Sequence, residues 1–382
     1  MLKIGRQLVL SLIVVFGLAQ IAFAEEAAPA AAPAPAAPKW YDTVNVSGLV
    51  DAYYTYNGNG YRGLGDNQLL GFAPDSNEFS AALIELNFEK KPTAEHPTGF
   101  YVGLMPGGTT PFLIDGVGDK GVVYSSIVRQ VYGSLLLLPG LQLDYGKYAT
   151  MMGAEVIESN ANWNYTRSIL FSYSIPYTHT GARFTYTLND MIYAQLHIVN
   201  GWNNVVNHTS GKGVCGVIGI SPIKSLPIIV NYMSTSESKD ANAVGTLANI
   251  GARSLLDVVA TFNATDALSF MVNYDSGSQS NGTASGGKAA WSGVAGYIKY
   301  TGLPVLSAIA LRYESFDDTD GFTTGTVQKL SEGTLTLEKA VDGALLRLDV
   351  RQDSSNQKVF TVSDGTTSQS QLTVTFGAVF TF

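Results

Sequence analysis

Residues 371–382 read QLTVTFGAVFTF, and the alternation in this stretch sets the fold class. Leu372, Val374, Phe376, Ala378, Phe380 and Phe382 fall on one side of an extended chain. Thr373, Thr375, Gly377, Val379 and Thr381 fall on the other. Successive side chains of a strand point to opposite faces, so the segment is a β-strand with one apolar, aromatic-rich face. It stops on an aromatic residue, Phe382.

Working back from it, the same alternation hardly stops. It runs through ALLRLDVR (344–351), TLTLEK (334–339), VLSAIALRYESF (305–316), WSGVAGYIKY (291–300), LSFMVNYD (268–275) and RSLLDVVATF (253–262). Further upstream are LPIIVNYM (226–233), VCGVIGIS (214–221), IYAQLHIV (192–199), GARFTYTL (181–188) and LQLDYGK (141–147). IVRQVYGSLLLL (127–138), whose two faces are ambiguous, GFYVGLM (99–105), SAALIELNFEK (80–90) and TVNVSGLVDAYYTYN (43–57) complete the set. The pattern predicts about sixteen strands, within a range of fourteen to eighteen, because element ends are the least legible part of a sequence. Connections after odd strands are long, and those after even strands are mostly short, such as the LPG, Asn189-Asp190 and AVDG turns. Strands of roughly 8–12 residues bracket the ~9–11 that cross a bilayer at a tilt. An even number of antiparallel strands with short turns at one end and long loops at the other is the rhythm of an outer-membrane barrel. A sandwich has no reason to place every long loop at one end.

The composition agrees. Hydrophobic residues make up 46% of the chain and charged residues only 14%, yet the apolar residues are spread by alternation. At the start, Lys3 and Arg6 precede an apolar run from Leu8 to Leu18, followed by Ala22-Phe23-Ala24, which predicts a secretory signal peptide over residues 1–24. Residues 25–40 begin with the Ala/Pro tract EEAAPAAAPAPAAP, expected to be a semi-stiff periplasmic linker, and residues 41–382 are expected to form the barrel. Cys215 is the single cysteine, so no internal disulfide is possible. The formal charge of −8, which cleavage of the signal would make more negative, argues against nucleic acid as a partner.

A resemblance covers essentially the whole of this barrel. SGLVDAYYTYN (47–57), the block GKYATMMGAEVIESNANWNYTRSILFSYSIPYTHTGARFTY (146–186), NGWNNV, LLDVVATFNATDALSFMVNYD and LRYESFDDTDG (311–321) resemble the OmpL-like putative beta-barrel porin family. The resemblance implies an outer-membrane channel in a Gram-negative-type envelope that passes small hydrophilic solutes by passive diffusion. A chain ending on Phe after alternating apolar residues also looks like the last strand of bacterial outer-membrane barrels. In that group the terminal strand closes the sheet on the first strand and serves as an assembly signal, here Phe382. The partners this implies are outer-membrane lipid and lipopolysaccharide, the barrel assembly machinery, the permeating solutes and a possible homo-oligomer. The rival reading is a non-conducting adhesin or receptor whose extracellular loops bind a partner.

A barrel of this size is too wide for wall side chains to fill, so its inward faces should line water. By parity these include Asp51, Glu85, Asp144, Asp257, Asp275, Glu314, Glu338 and Asp349, with the basic residues Arg183, Arg253, Lys299, Arg312, Arg347 and Arg351. Their plainest role is pairing across the wall, since an Arg or Lys facing lipid near the midplane costs ~2–4 kcal/mol. The segment from Tyr148 to His179 is the third long loop. Met151, Met152, Val156, Ile157, Trp163, Ile169, Leu170 and Phe171 give it a need for burial, so it is expected to fold inward as a constriction carrying Glu155, Glu158 and Arg167. No GxSxG elbow, metal-ligand spacing of histidines or phosphate-binding glycine loop occurs, so neither an enzyme nor a cofactor is expected. His197 reads as a wall hydrogen-bonder rather than a base.

Overall fold

The computed structural model describes residues 43–60, 67–108, 127–207, 209, 211–238 and 250–382; the expected signal peptide and linker lie outside them. In chain order the strands are β1 (Asn45–Asn57), β2 (Phe79–Lys90), β3 (Thr98–Gly107), β4 (Val128–Leu138), β5 (Leu141–Ala149) and β6 (Thr178–Asn189). Next are β7 (Ile192–Val199), β8 (Gly213–Ile220), β9 (Ile228–Ser238), β10 (Ile250–Asn263), β11 (Leu268–Gln279) and β12 (Ala289–Tyr300). Last are β13 (Ala308–Asp318), β14 (Gln328–Val341), β15 (Ala344–Ser355), β16 (Phe360–Thr361), β17 (Thr367–Ser368) and β18 (Ser370–Thr381). β16 and β17 make a short hairpin; the other sixteen close into one antiparallel barrel in which β18 pairs with both β15 and β1. Closure leaves no unpaired strand edge, which hydrocarbon could not satisfy.

The barrel is apolar outside and polar within. On β18 the outward Phe376 is 46% exposed, whereas the inward Thr373 and Thr375 are buried. On β13 the outward Leu311 is exposed and its neighbour Arg312 is buried. Tyr186, Phe262, Phe270, Tyr300 and Phe380 are exposed near the ends of their strands closest to the short turns, where amphipathic rings mark a membrane interface.

The closing seam is tight. Gly48 and Phe382 exchange two backbone hydrogen bonds of 3.1 Å, and a Cβ on Gly48 would stand 2.5 Å from both the Phe382 ring and the Glu85 carbonyl oxygen. Gly48→Val is therefore expected to overpack the seam at a cost of ~1–3 kcal/mol. The measurement is the fraction of refolded protein that migrates as a heat-modifiable barrel. An undiminished fraction would mean the seam does not have this packing.

Two local features differ from the sequence reading. Several strands run further from the short-turn end than the apolar alternation shows: β9 continues to Ser238, β11 to Gln279 and β15 to Ser355, and β14 begins at Gln328. The outward-facing residues added, such as Ser276, Ser331 and Gln352, are polar because a strand that rises beyond the hydrocarbon no longer needs an apolar outer face. The ambiguity of residues 127–138 comes from a β-bulge. Gly103 pairs with Gln130 and Leu104 with Val128, so Arg129 is an extra residue in β4. A bulge re-aims a side chain, and Arg129 lies buried inside the barrel rather than in lipid.

Candidate functional site in the barrel lumen

The connection between β5 and β6, residues 150–177, folds into the barrel. Its neck is closed by Thr150 N–H donating to the Tyr177 carbonyl at 2.9 Å. Met152, Ile157, Tyr165, Ile169, Leu170 and Phe171 are buried, Met151 and Trp163 partly so, while Val156 remains exposed against the expectation that it is covered. Phe72 of the first long loop meets Phe171 and Tyr177, with ring centroids 5.4 and 5.6 Å apart.

A buried irregular segment must find partners for its peptide groups. Here the barrel wall supplies them, with arginines for the carbonyls and carboxylates for the N–H groups. Arg347 donates to the carbonyls of Asn162 at 2.6 Å and of Ser159. Arg312 donates to Thr166 O at 2.5 Å, and Arg351 to Arg167 O at 2.6 Å. In the other direction, Asp51 accepts from Ser159 Oγ and from the Tyr165 hydroxyl, each at 2.6 Å. Asp349 accepts from both N–H and Oγ1 of Thr166 at 2.8 Å. Glu314 accepts from the N–H groups of Ile169 and Leu170, at the start of the π-helical turn Leu170–Ser174. Arginine suits this task because its planar fork presents five donors in fixed geometry. Burial, reinforced by the charge of Asp51, pushes the Tyr165 phenol well above its usual range, so it stays a donor.

Shape completes the fit. Tyr165 lies on the inner face of the closing strand, where a Cβ on Gly377 would come within 2.2 Å of its ring. The smallest residue is needed there because the loop ring lands on bare backbone.

The three charged loop residues take different places. Glu155 is buried between Arg312 Nη1 at 2.8 Å and the Ser168 N–H at 2.7 Å. Arg167 is also buried; it donates to the carbonyls of Tyr165 and Ile157 and stacks 5.1 Å from the Phe72 ring centroid. Glu158 pairs with Arg129, which stands 3.5 Å from Glu85. Glu85, Arg129 and Glu158 line a cavity of about 430 Å³ that also borders Tyr101, Asn160 and Phe382.

Of the wall residues, Asp144 pairs with Arg183 at 2.7 Å, and Glu338 joins Arg347 at 2.7 Å and Lys299 at 3.5 Å. Arg253 lies between the rings of Trp202 and Phe322. Asp257 and Asp275 face each other across β10 and β11. Pairing within the wall thus engages eight of these fourteen charges, Glu85, Asp144, Arg183, Lys299, Glu338, Arg312, Arg347 and Arg351, and six, Asp51, Glu314, Asp349, Arg312, Arg347 and Arg351, hold the loop. The sequence reading missed Arg129, because of the bulge, and Glu332 and Asp353, because they lie beyond the apolar alternation. Glu332 pairs with Arg312, and Asp353 with Arg351 at 2.7 Å. His197 hydrogen-bonds Gln195 at 3.0 Å, as a wall residue would; His208 lies outside the described residues. Among the described residues no group of three or more His, Cys, Asp or Glu is arranged to hold a metal.

A family model described as putative beta-barrel porin-2, OmpL-like, matches residues 43–382. No curated protein matches the sequence. Among solved structures, the anion-selective porin from Comamonas acidovorans is 13% identical with a TM-score of 0.58, the match covering 89% of this chain and 99% of that one. Outer-membrane expressed OmpT of Vibrio cholerae is 10% identical with a TM-score of 0.55, over 89% of this chain and 97% of its own. Salmonella typhi OmpF, solved in complex with daunomycin, is 12% identical with a TM-score of 0.55 over the same shares. At these identities the likeness is one of fold.

Proposed function

We propose how this channel is narrowed, from the premise that the chain belongs to the putative beta-barrel porin-2, OmpL-like, family and is a porin channel of the Gram-negative outer membrane. Residues 150–177 form its constriction, and the passage for small hydrophilic solutes and ions is bounded by that loop and the facing wall. The observation that carries this reading is the set of wall arginines and carboxylates bonded to the loop backbone inside the lumen. Within the constriction, Glu155 and Arg167 hold the loop in shape, and Glu158 with Glu85 and Arg129 faces the passage. The wall residues named above set its field, with Asp144, Arg183, Lys299 and Glu338 away from the loop contacts. The protein works by passive diffusion, without catalysis. Phe382 is the signal read by the barrel assembly machinery, and the outer surface contacts lipid and lipopolysaccharide.

Two carboxylates against one guanidinium give the Glu85–Arg129–Glu158 cluster a negative excess, so the channel should mildly prefer cations. In a narrow passage a fixed charge acts at low effective dielectric. Glu158→Gln is expected to weaken or invert the preference, read as the reversal potential across a KCl gradient. The change should be clearest below 0.1 M, where the Debye length exceeds ~10 Å. Glu155→Gln should shift the reversal potential little, because Glu155 is buried against Arg312 and the Ser168 N–H rather than facing the passage. An unchanged reversal potential for Glu158→Gln at low salt would place this cluster outside the ion path.

A further inference from the structure

The carboxylates along β13–β15 lie among arginines, but Asp257 and Asp275 do not. They are directly opposed on β10 and β11 and fully buried, and among the described residues no Lys or Arg forms an ion pair with either. Like charges opposed in a sheet repel, and two buried carboxylates cannot both stay ionised without positive charge between them. Their surroundings are built to hold them in place. Asn231 Nδ2 donates to one oxygen of Asp257 and Asn273 Nδ2 to the other, the second at 2.6 Å. Asn273 Nδ2 also reaches Asp275 Oδ1 at 3.3 Å. Asn231 and Asp275 flank Asp257 on the two neighbouring strands, and Asn231 Oδ1, Asp275 Oδ2 and Ser174 Oγ, each on a fully buried residue, make no hydrogen bond of ordinary geometry. Ser174 stands beside Asp275 and ends the π-helical turn of the inward loop.

We propose that Asp257, Asp275, Asn231 and Ser174 bind one hard divalent cation of the calcium type. The two carboxylates match its charge, and the amide and hydroxyl oxygens are the neutral ligands such a cation accepts in its shell of six to eight oxygens. The N–H groups of Asn231 and Asn273 fix the Asp257 carboxylate, and that of Asn273 bridges it to Asp275, as outer-shell donors orient metal ligands. The cation ties both arms of the loop to the wall. Ser174 is a direct ligand, and the other arm is held where Ala154 N–H donates to Asn273 Oδ1 at 3.3 Å. The site stands whichever solutes cross the lumen.

The experiment uses the full chain refolded in detergent and stripped with EDTA. Tb³⁺ is the probe, sensitised by Trp291, whose Nε1 donates to the Ser174 carbonyl at 3.1 Å. Indole-excited Tb³⁺ emission should saturate at one ion per barrel and be displaced by Ca²⁺, and Ca²⁺ should raise the thermal midpoint. The Asp257→Asn, Asp275→Asn double variant should lose both responses, and Ser174→Ala should weaken Ca²⁺ binding at least about tenfold, the loss that removing an outer-shell partner already causes. If the double variant does not fold, the wild type and Ser174→Ala decide. Wild type without Ca²⁺-displaceable emission, stabilised instead by acidification, would hold a shared proton and overturn the proposal. Equal Ca²⁺ responses in wild type and a folded double variant, or in wild type and Ser174→Ala, would overturn it as well.

Discussion

Replacing residues 154–175 with a short Gly-Ser linker is expected to raise single-channel conductance severalfold while leaving the barrel intact. Ala149 and Thr178 are directly paired, so a short linker spans the neck without strain. The strand-to-strand hydrogen bonds that close the barrel do not involve the loop. What changes is the lumen: a sixteen-stranded barrel without an inward loop is a wide aqueous channel. Arg312, Arg347 and Arg351 would then face water together with Asp51, Glu314 and Asp349. Planar-bilayer recording on the two forms, both checked for heat-modifiable migration, makes the comparison. Equal conductance would mean that the loop does not limit flow.

Arg312→Ala should have the largest effect of any single wall substitution. Its guanidinium is buried between Glu155 and Glu332 and also bonds the Thr166 carbonyl. Breaking a buried pair by removing one partner costs about 3–5 kcal/mol, because the remaining charge is left uncompensated. Here Glu155 loses its counter-charge, Glu332 keeps only Arg351 at 3.8 Å, and the loop loses an anchor. The expected result is protease cleavage within residues 150–177 and noisy, enlarged channel currents, with strand content by circular dichroism unchanged. Arg312→Lys should restore only part of the protection, since an ammonium cannot reproduce the fork. A loop as resistant in Arg312→Ala as in wild type would contradict the anchoring role.

What the sequence disclosed follows from where each residue faces. Lipid requires an apolar outer side, so the alternation of Leu348 and Val350 against Arg347, Asp349 and Arg351 on β15 reveals both faces at once. The same requirement ends where the strand leaves the hydrocarbon, which is why Glu332 and Asp353 look like loop residues. Arg129 was hidden because a bulge breaks the period that parity depends on. The burial of the third loop was legible in its own apolar residues. Its contacts were not: Asp51 meets Tyr165 across 114 residues, and nothing local to either specifies the other. Gly377 shows the same limit. In sequence it is one more small residue on the inner face of a strand, and only the ring of Tyr165 explains it.

The most direct test of an ion path running beside the inward loop is thiol modification at Glu158 during single-channel recording. The single native thiol, Cys215, is fully buried and should stay silent. With Glu158→Cys, a cationic methanethiosulfonate reagent is expected to lower the open-channel current in one discrete step and shift the reversal potential toward anions. The same reagent should leave the wild type unchanged. A Glu158→Cys channel whose current is unaffected by reagent that has demonstrably reacted would contradict the account.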